Sequence, residues 1–276
     1  MEPKLDGIRC IAFWEGDDIR MISRSAKTEL GPKVPHLVKS LEKILPWGMM
    51  FDGELGIPHD QGWRSLGIGW PIIDFNKTVR VTQSGVDEAL SKQKHPSVGP
   101  LHYYIFDFTY MDTVSSEPQT DRTRVAMNLL SRDPHDLIHP VIPVFSGWIN
   151  RIYDNYVVDG GEGVILKNPK GLYVMRKRPA KTWYKIKKFD SFDGKIVGYD
   201  EGLGKYDGQI GALVIETPQG VLVRCSGMDD ATRQYMTKYW SKYYGHMAEI
   251  KYFGRVGSVG KGYRHPQFLR MRPDLD

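Results

Sequence analysis

The densest concentration of reactive groups in the chain is Lys4-Leu5-Asp6-Gly7-Ile8-Arg9, where an amine, a carboxylate, a glycine and a guanidinium fall within six residues. An amine attacks phosphorus only when unprotonated, so a nucleophilic lysine needs its pKa lowered by neighbouring cations or by partial desolvation. Phe51-Asp52-Gly53-Glu54-Leu55 sets carboxylates on a hydrophobic stretch, where a charge must find a partner: a sugar hydroxyl, a metal or a salt bridge. Tyr104-Ile105-Phe106-Asp107 offers an aromatic ring that either stacks on a flat base or packs in the core. In Gly160-Gly161-Glu162-Gly163-Val164-Ile165 the glycines let backbone approach a ligand and put Glu162 within reach of a cation; the plain alternative is a hairpin turn with an exposed acid. The run from Lys167 to Lys188 holds nine basic and no acidic residues, among them Lys181, Lys185 and Lys187, with Trp183 between. On a strand, Lys185 and Lys187 point to one face and can grip a phosphate together, against the ordinary reading of a solvated basic surface.

These groups need elements to hold them. Ile8 to Trp14 and Ile19 to Ser23 read as strands around the turn Glu15-Gly16-Asp17-Asp18, so Lys4 directly precedes a hairpin. Leu37, Val38, Leu41, Ile44 and Leu45 share one helical face before Pro46, and Met49 to Gly56 reads as a strand. Leu101 to Tyr110, Gly163 to Asn168 and Trp183 to Lys187 are further strands, and Ile149 to Val158 a helix. From about Phe192 the pattern changes to short strands at Lys195 to Tyr199, Gln209 to Thr217 and Val221 to Ser226, separated by glycine-rich turns. Asp229 then caps a helix expected to run through Tyr243, and Met247 to Gly254 is a last strand. The reading is an α+β protein: residues 1–188 form a mixed domain with antiparallel sheets, and residues 189–276 a small antiparallel β-barrel of the OB-fold kind.

Composition narrows the class. A chain of 276 residues with 41% hydrophobic content suffices for two cores, and a net charge of +5 with a pI near 9.0 suits a polyanionic partner. Cys10 and Cys225 alone exclude a four-cysteine zinc module and speak against a disulfide framework, which points to a reducing, cytoplasmic compartment. No apolar run is long enough for a membrane helix, and Met1-Glu2-Pro3-Lys4 does not open like a signal peptide.

Taken in order, the five elements resemble the nucleotidyltransferase motifs of the superfamily of ATP-dependent DNA ligases, RNA ligases and messenger-RNA capping enzymes. The pattern starts with Glu2, two residues before Lys4, and continues through Ser23-Arg24, Asp52-Gly53-Glu54, Phe106-Asp107, Glu162-Gly163 and the Lys-x-Lys pair. Tyr263-Arg264-His265-Pro266-Gln267-Phe268-Leu269-Arg270 is similar to the signature that ends ligase OB domains, which favours a compact, bacteriophage-type DNA ligase over an RNA ligase or capping enzyme. The resemblance implies an adenylation domain followed by an OB-fold domain. It implies Lys4 as the nucleophile that takes AMP from ATP, Arg9 and Glu54 on the ribose, Phe106 stacked on adenine, and Glu2 in the nucleotide pocket. It further implies Lys185 and Lys187 on the α-phosphate, Arg24 toward AMP or the phosphate of the nicked strand, and Glu162, with Glu54, serving Mg²⁺ or Mn²⁺.

The implied partner is nicked duplex DNA, sealed by a monomer through lysyl-AMP and 5′-adenylylated DNA. Ligases usually carry more chain before the nucleophile than the three residues that precede Lys4 here. With no separate DNA-encircling domain, the grip on DNA is expected from Lys33, Lys77, Arg80, Lys92, Lys94 and the basic tail. Arg264, with Arg270 or Arg272, is expected to stabilise the departing pyrophosphate.

Overall fold

A computed structural model describes residues 1–59, 69–111, 117–131, 137–145, 147–174, 182–256 and 262–276, and divides the chain into two compact units, Met1–Lys187 and Lys188–Asp276. Lys181 lies outside the described residues.

The first unit carries two sheets. In the larger, β2 (Ile8–Glu15) pairs with β3 (Asp18–Ser23) and β4 (Met49–Gly56), β4 with β5 (His102–Tyr110), and β5 in parallel with β6 (Ile138–Pro140). One face of this sheet buries Cys10, Ala12, Phe51, Leu55, Tyr103, Ile105 and Phe108 in a core that also takes Leu37 and Leu41 from α1 (Pro35–Ile44). Helices α2 (Phe75–Thr82), α3 (Val86–Lys94) and α4 (Gln119–Ser131) add Val81, Ala89, Ala126 and Leu130. The sequence reading did not find these three helices. Their apolar residues are few and interleaved with charges, so the packing partner supplies most of what holds them. Helix α5 (Ile149–Val158) buries Ile152 and Tyr156 with Trp70 and Val164.

The smaller sheet is the two-residue strand β1 (Glu2–Pro3), then β7 (Gly163–Lys167), then β8 (Trp183–Lys187), all antiparallel. Strand β1 is too short for periodicity to reveal; backbone pairing to β7 alone makes it.

In the second unit β9 (Asp190–Glu201) pairs with β10 (Ile210–Glu216) and with β12 (Met247–Tyr252), and β10 pairs with β11 (Leu222–Cys225). After α6 (Asp230–Lys238) and β12, the short pair β13 (Arg255–Val256) and β14 (Gly262–Tyr263) leads to β15 (Gln267–Met271), which closes on β12. The five main strands run β11-β10-β9-β12-β15. Among the described residues these strands form an open sheet without the barrel closure expected from the sequence: beyond the strand pairing there is an isolated parallel bridge, Ser226 to Gln267, where the Phe268 amide donates to the Ser226 carbonyl at 2.9 Å. Strand β9 is longer than expected, because Asp190 to Gly194 pair with β12 while its distal half pairs with β10. Helix α6 starts where Asp229 accepts from the Thr232 amide at 2.7 Å, but ends at Lys238 instead of reaching Tyr243; Trp240–Lys242 tightens into a 3-10 turn. Ile196, Ile210, Leu213, Ile215, Met236, Ala248 and Ile250 form this unit's core.

Candidate functional site

Lys4 sits between β1 and β2, and its backbone amide donates to the Gly163 carbonyl at 2.8 Å, which continues the β1–β7 register by one residue. Register then dictates the neighbours. Gly163 lies opposite Lys187, Ile165 opposite Lys185 and Glu2, and Lys167 opposite Trp183. Since directly paired residues share a face and alternate residues return to it, Glu2, Lys4, Lys167, Trp183, Lys185 and Lys187 all project from one side of the small sheet.

The centre of this cluster is a triad. Glu162, at the turn into β7, accepts the Lys4 ammonium on Oε2 and the Lys187 ammonium on Oε1, the latter at 2.6 Å. Burial pushes the Glu162 carboxyl up, but the two ammoniums outweigh it and hold it below the usual carboxylate range. Lys185 is exposed on the same face. Two glycines make the arrangement possible. A Cβ on Gly7 would fall 2.2 Å from the Leu55 carbonyl oxygen, so only glycine lets the segment after Lys4 lie against β4. Gly163 has φ +145°, and a Cβ there would reach 2.1 Å from the Ile186 carbonyl oxygen, blocking the β7–β8 pairing that delivers Lys187.

The larger sheet presents a second polar face. Arg9 lies opposite Glu54, and Asp52 two residues along β4 shares that face. Arg9 forks onto Asp52, with Nε donating to Oδ1 at 2.9 Å and Nη2 to Oδ2 at 2.5 Å, while Tyr173 donates its hydroxyl to Oδ2 at 2.8 Å. Glu54 has no such fork. Burial raises its pKa to about 8, only partly offset by Lys4, and the charges of Asp52 and Glu162 push it the same way.

Strand β5 carries a bulge. Asp52 pairs with Asp107 and Gly53 with Ile105, so Phe106 is the extra residue. The bulge turns Phe106 out of the regular alternation and lets both Tyr104 and Asp107 serve one side of the sheet, a device common beside functional sites. Phe106 is half-buried above Leu5, Ile73, Tyr104 and Val141 and meets Trp183 edge-on, with centroids 5.9 Å apart at 81°. Lys167 ties the two sheets together: its ammonium donates to the Phe106 carbonyl at 2.6 Å and pairs with the buried Glu2 carboxylate at 2.7 Å. Burial raises the Glu2 pKa, and Lys167 pulls it back part of the way.

Asp52 and Asp107 face each other directly across β4 and β5, which would repel strongly if either were unpaired. Each has its own arginine. Arg122, fully buried on α4, donates Nε to Asp107 Oδ1 at 2.8 Å and Nη2 to Oδ2 at 3.1 Å, and satisfies Gln119 and the carbonyls of Glu117 and Gly171. Gln119 Oε1 also accepts the Trp183 indole N–H at 3.1 Å. The wall beside Phe106 therefore rests on a buried chain Asp107–Arg122–Gln119–Trp183. Sequence reasoning quoted Asp52, Asp107, Trp183 and Lys167 without giving them these roles. Arg122, Gln119 and Tyr173 left no local signal, because each acts through a partner far away in the chain.

The other sequence candidates are scattered. Arg24 sits in the exposed turn after β3. Arg264 follows β14 in the second unit, half-buried, its backbone bonded to Phe253 and Gly254. Arg270 pairs with Glu249, and Arg272 with Asp193 and Asp274. Of the expected DNA-gripping cations, Lys33 donates to the Thr82 carbonyl at 2.6 Å, Lys92 to Ser84 Oγ at 2.7 Å, and Lys77 pairs with Asp74. Those three are engaged in local structure.

Among the described residues there is no cluster of three or more His, Cys, Asp or Glu around one point. Glu54 and Glu162 are close enough to feel each other's charge. A pair of carboxylates with phosphate oxygens and water completing the shell is the usual way Mg²⁺ is held, so these residues fit a metal shared with a nucleotide and not a closed protein cage. Among the described residues no helix is long and apolar enough to cross a membrane.

Two family models match in the order of the two units: the ATP-dependent DNA ligase domain over residues 1–187 and the DNA ligase OB-like domain over residues 201–272. A DNA ligase of Methanothrix thermoacetophila is 35% identical over 230 residues, covering 80% of this chain and 39% of that protein. A probable DNA ligase of Rhodococcus opacus is 25% identical over 299 residues, covering 99% of this chain and 55% of that protein. The chain thus spans only part of the length of these curated relatives. A solved Lig E DNA ligase superposes with a TM-score of 0.68 at 22% identity, covering 98% of this chain and 91% of that one, which is a likeness of fold. With a lysine, a glutamate and a paired lysine brought together at the edge of a small sheet, and a family match running from Met1 to Lys187, the chain belongs to the ATP-dependent DNA ligase domain family.

Proposed function

We propose that this chain is an ATP-dependent DNA ligase that seals nicks in duplex DNA as a monomer, with Lys4 as the covalently adenylylated nucleophile. The observation that carries the reading is the Lys4–Glu162–Lys187 triad, with Glu54 near enough to feel the charges of Lys4 and Glu162. In the first transfer the Lys4 Nζ lone pair forms a bond to the α-phosphorus of ATP, the bond to the bridging oxygen breaks, and pyrophosphate leaves with that electron pair. A 5′-phosphate oxygen of the nick then displaces Lys4 from AMP, and the 3′-hydroxyl finally displaces AMP to close the backbone.

Each residue has a share in this. Lys4 is salt-bridged to Glu162, which fixes the position of Nζ. Glu162 orients Nζ, while Lys4 and Lys187 hold its carboxyl below the usual carboxylate range. Lys187, with Lys185 two residues away on the same face, supplies positive charge for the α-phosphate oxygens. Phe106, which meets Trp183 edge-on, is assigned to adenine, and Arg9 and Glu54 are assigned to the ribose. Mg²⁺, held by Glu162 and Glu54 with the nucleotide, would neutralise phosphate charge.

The deciding experiment is incubation with α-labelled ATP or GTP and Mg²⁺, followed by nicked DNA and nicked RNA in parallel. An acid-stable adduct from ATP that is discharged on nicked DNA supports the reading. Adduct from GTP, or discharge on RNA alone, would replace it with a capping-type enzyme or an RNA ligase.

A further inference from the structure

The second unit carries an aromatic surface that holds none of the site residues described above. From Ala231 to Ala248 the chain contains no acidic residue, three Lys or Arg, and five aromatics: Tyr235, Tyr239, Trp240, Tyr243 and Tyr244. Helix α6 buries Arg233 and Met236 on its inner side, which fixes what faces outward. Tyr235 and Tyr244 are 54% and 59% exposed, an unusual state for such large rings in a domain that has a well-filled core of its own.

The rings form two sets, joined by the backbone of the turn after α6. Tyr235 and Tyr239, one helical turn apart, have centroids 4.8 Å apart, and Tyr235 and Tyr243 lie 6.5 Å apart. In the second set Trp240, packed against the core, meets Tyr244 at 6.1 Å and the half-exposed Tyr199 of β9 at 4.7 Å. Two exposed ammoniums flank it: Lys238 and Lys242 each stand 5.2 Å from the centre of the Tyr239 ring. Arg233 is spent on the carbonyls of Ile210 and Gly211 and belongs to the scaffold. Of the acids nearest in sequence, Asp229 caps the other end of the helix, Asp230 is engaged there with Lys205 and Tyr206, and Glu249 is engaged with Ser191 and Arg270. Asp230 lies eight residues, or ~12 Å of helix, from Lys238.

Exposed rings interleaved with positive charge are what an unpaired nucleic-acid strand requires: bases stack on the rings whatever their identity, and the lysines track the phosphates. A stacked duplex has no base faces to offer such rings, and an apolar protein partner would not call for the lysines. We infer that the α6 face of the second unit, built from Tyr235, Tyr239 and Tyr244 with Lys238 and Lys242, is a binding site for single-stranded DNA, the class of strand found as an overhang or displaced end beside a break.

The test uses the full chain and a fluorescently labelled twelve-nucleotide thymidine strand, compared with an abasic strand of equal length and charge. The chain should bind the thymidine strand more tightly than the abasic one. Tyr235→Ala with Tyr244→Ala should weaken thymidine-strand binding by about 5- to 150-fold for each ring that stacks. The same pair should leave abasic-strand binding and thermal stability little changed. Lys238→Gln with Lys242→Gln should weaken both strands and lower the salt dependence. In the unaltered chain, photocrosslinking of a bromouracil-substituted strand should map to the α6 tyrosines, a readout that holds even if a variant folds poorly. Wild-type affinity in the tyrosine variants, equal binding of abasic and thymidine strands, or crosslinks confined to residues 1–187 would each overturn the assignment. Adduct formation at Lys4, measured without DNA, reports separately on the proposed ligase chemistry, so failure of one reading is distinguishable from failure of the other.

Discussion

Glu54 offers the sharpest quantitative test of the site. Its carboxyl rises from an ordinary value of 4.5 to about 8 in the folded chain, first because it is buried, then because Asp52 and Glu162 surround it with like charge that Lys4 only partly offsets. Between those two values the folded chain holds a proton that the unfolded chain releases, so stability must fall as pH rises through that window and stay low above it. The full penalty is about 5 kcal/mol from the linkage relation, and since Glu54 is only half-buried by exposed area the expected cost is ~2–5 kcal/mol. Glu54→Gln keeps the shape and removes the titration. It should match the parent near pH 5 and exceed it near pH 9, where the difference corresponds to a melting temperature higher by about 4–20 °C for a unit of this size. Calorimetric melting at pH 5, 7 and 9 without nucleotide or metal measures this directly. The same variant should form less lysyl-AMP, because a group whose ionisation the fold opposes until a cation arrives is a stability cost kept for function. A Glu54→Gln melting point that tracks the parent at every pH, or falls below it at pH 9, would refute the reasoning.

Other outcomes follow from the same geometry. Lys4→Arg keeps the charge facing Glu162 but removes an amine that can deprotonate, so labelled adduct should vanish; adduct that persists places the nucleophile elsewhere. Arg122→Met strands the buried Asp107 carboxylate and should destabilise the first unit by about 3–5 kcal/mol, while Arg122→Met with Asp107→Leu should recover much of that loss; urea unfolding of both variants checks the coupling, and a double variant no better than the single would count against a buried ion pair. Phe106→Ala should weaken ATP use through lost stacking, and a folded variant with parental nucleotide affinity would make the ring a packing element only. Arg264→Ala is expected to slow AMP transfer from ATP to Lys4 far more than sealing of a nick already carrying 5′-AMP; equal or greater damage to sealing in single-turnover assays would assign Arg264 to DNA instead.

The sequence by itself determined the candidate groups of the proposed site and the elements that carry them. Lys4, Glu162 and Lys187 were legible because reactive residue types sit beside glycines and on strands of clear alternation, and the boundaries of β4, α5 and β8 follow from local apolar patterning. Local patterning carries no information about what lies across a sheet. Only the tertiary structure decided that β1 pairs with β7 and so brings Lys4 and Lys187 to the same carboxylate, because that contact joins residues far apart in the chain through backbone bonds that every sequence can make. The bulge at Phe106 was equally invisible, since it exists only as a mismatch of register with β4. Three weakly patterned helices also waited on the fold, as did the neutralisation of Asp52 and Asp107 by Arg9 and Arg122. A buried charge selects its partner by three-dimensional proximity, and no spacing along the chain encodes it.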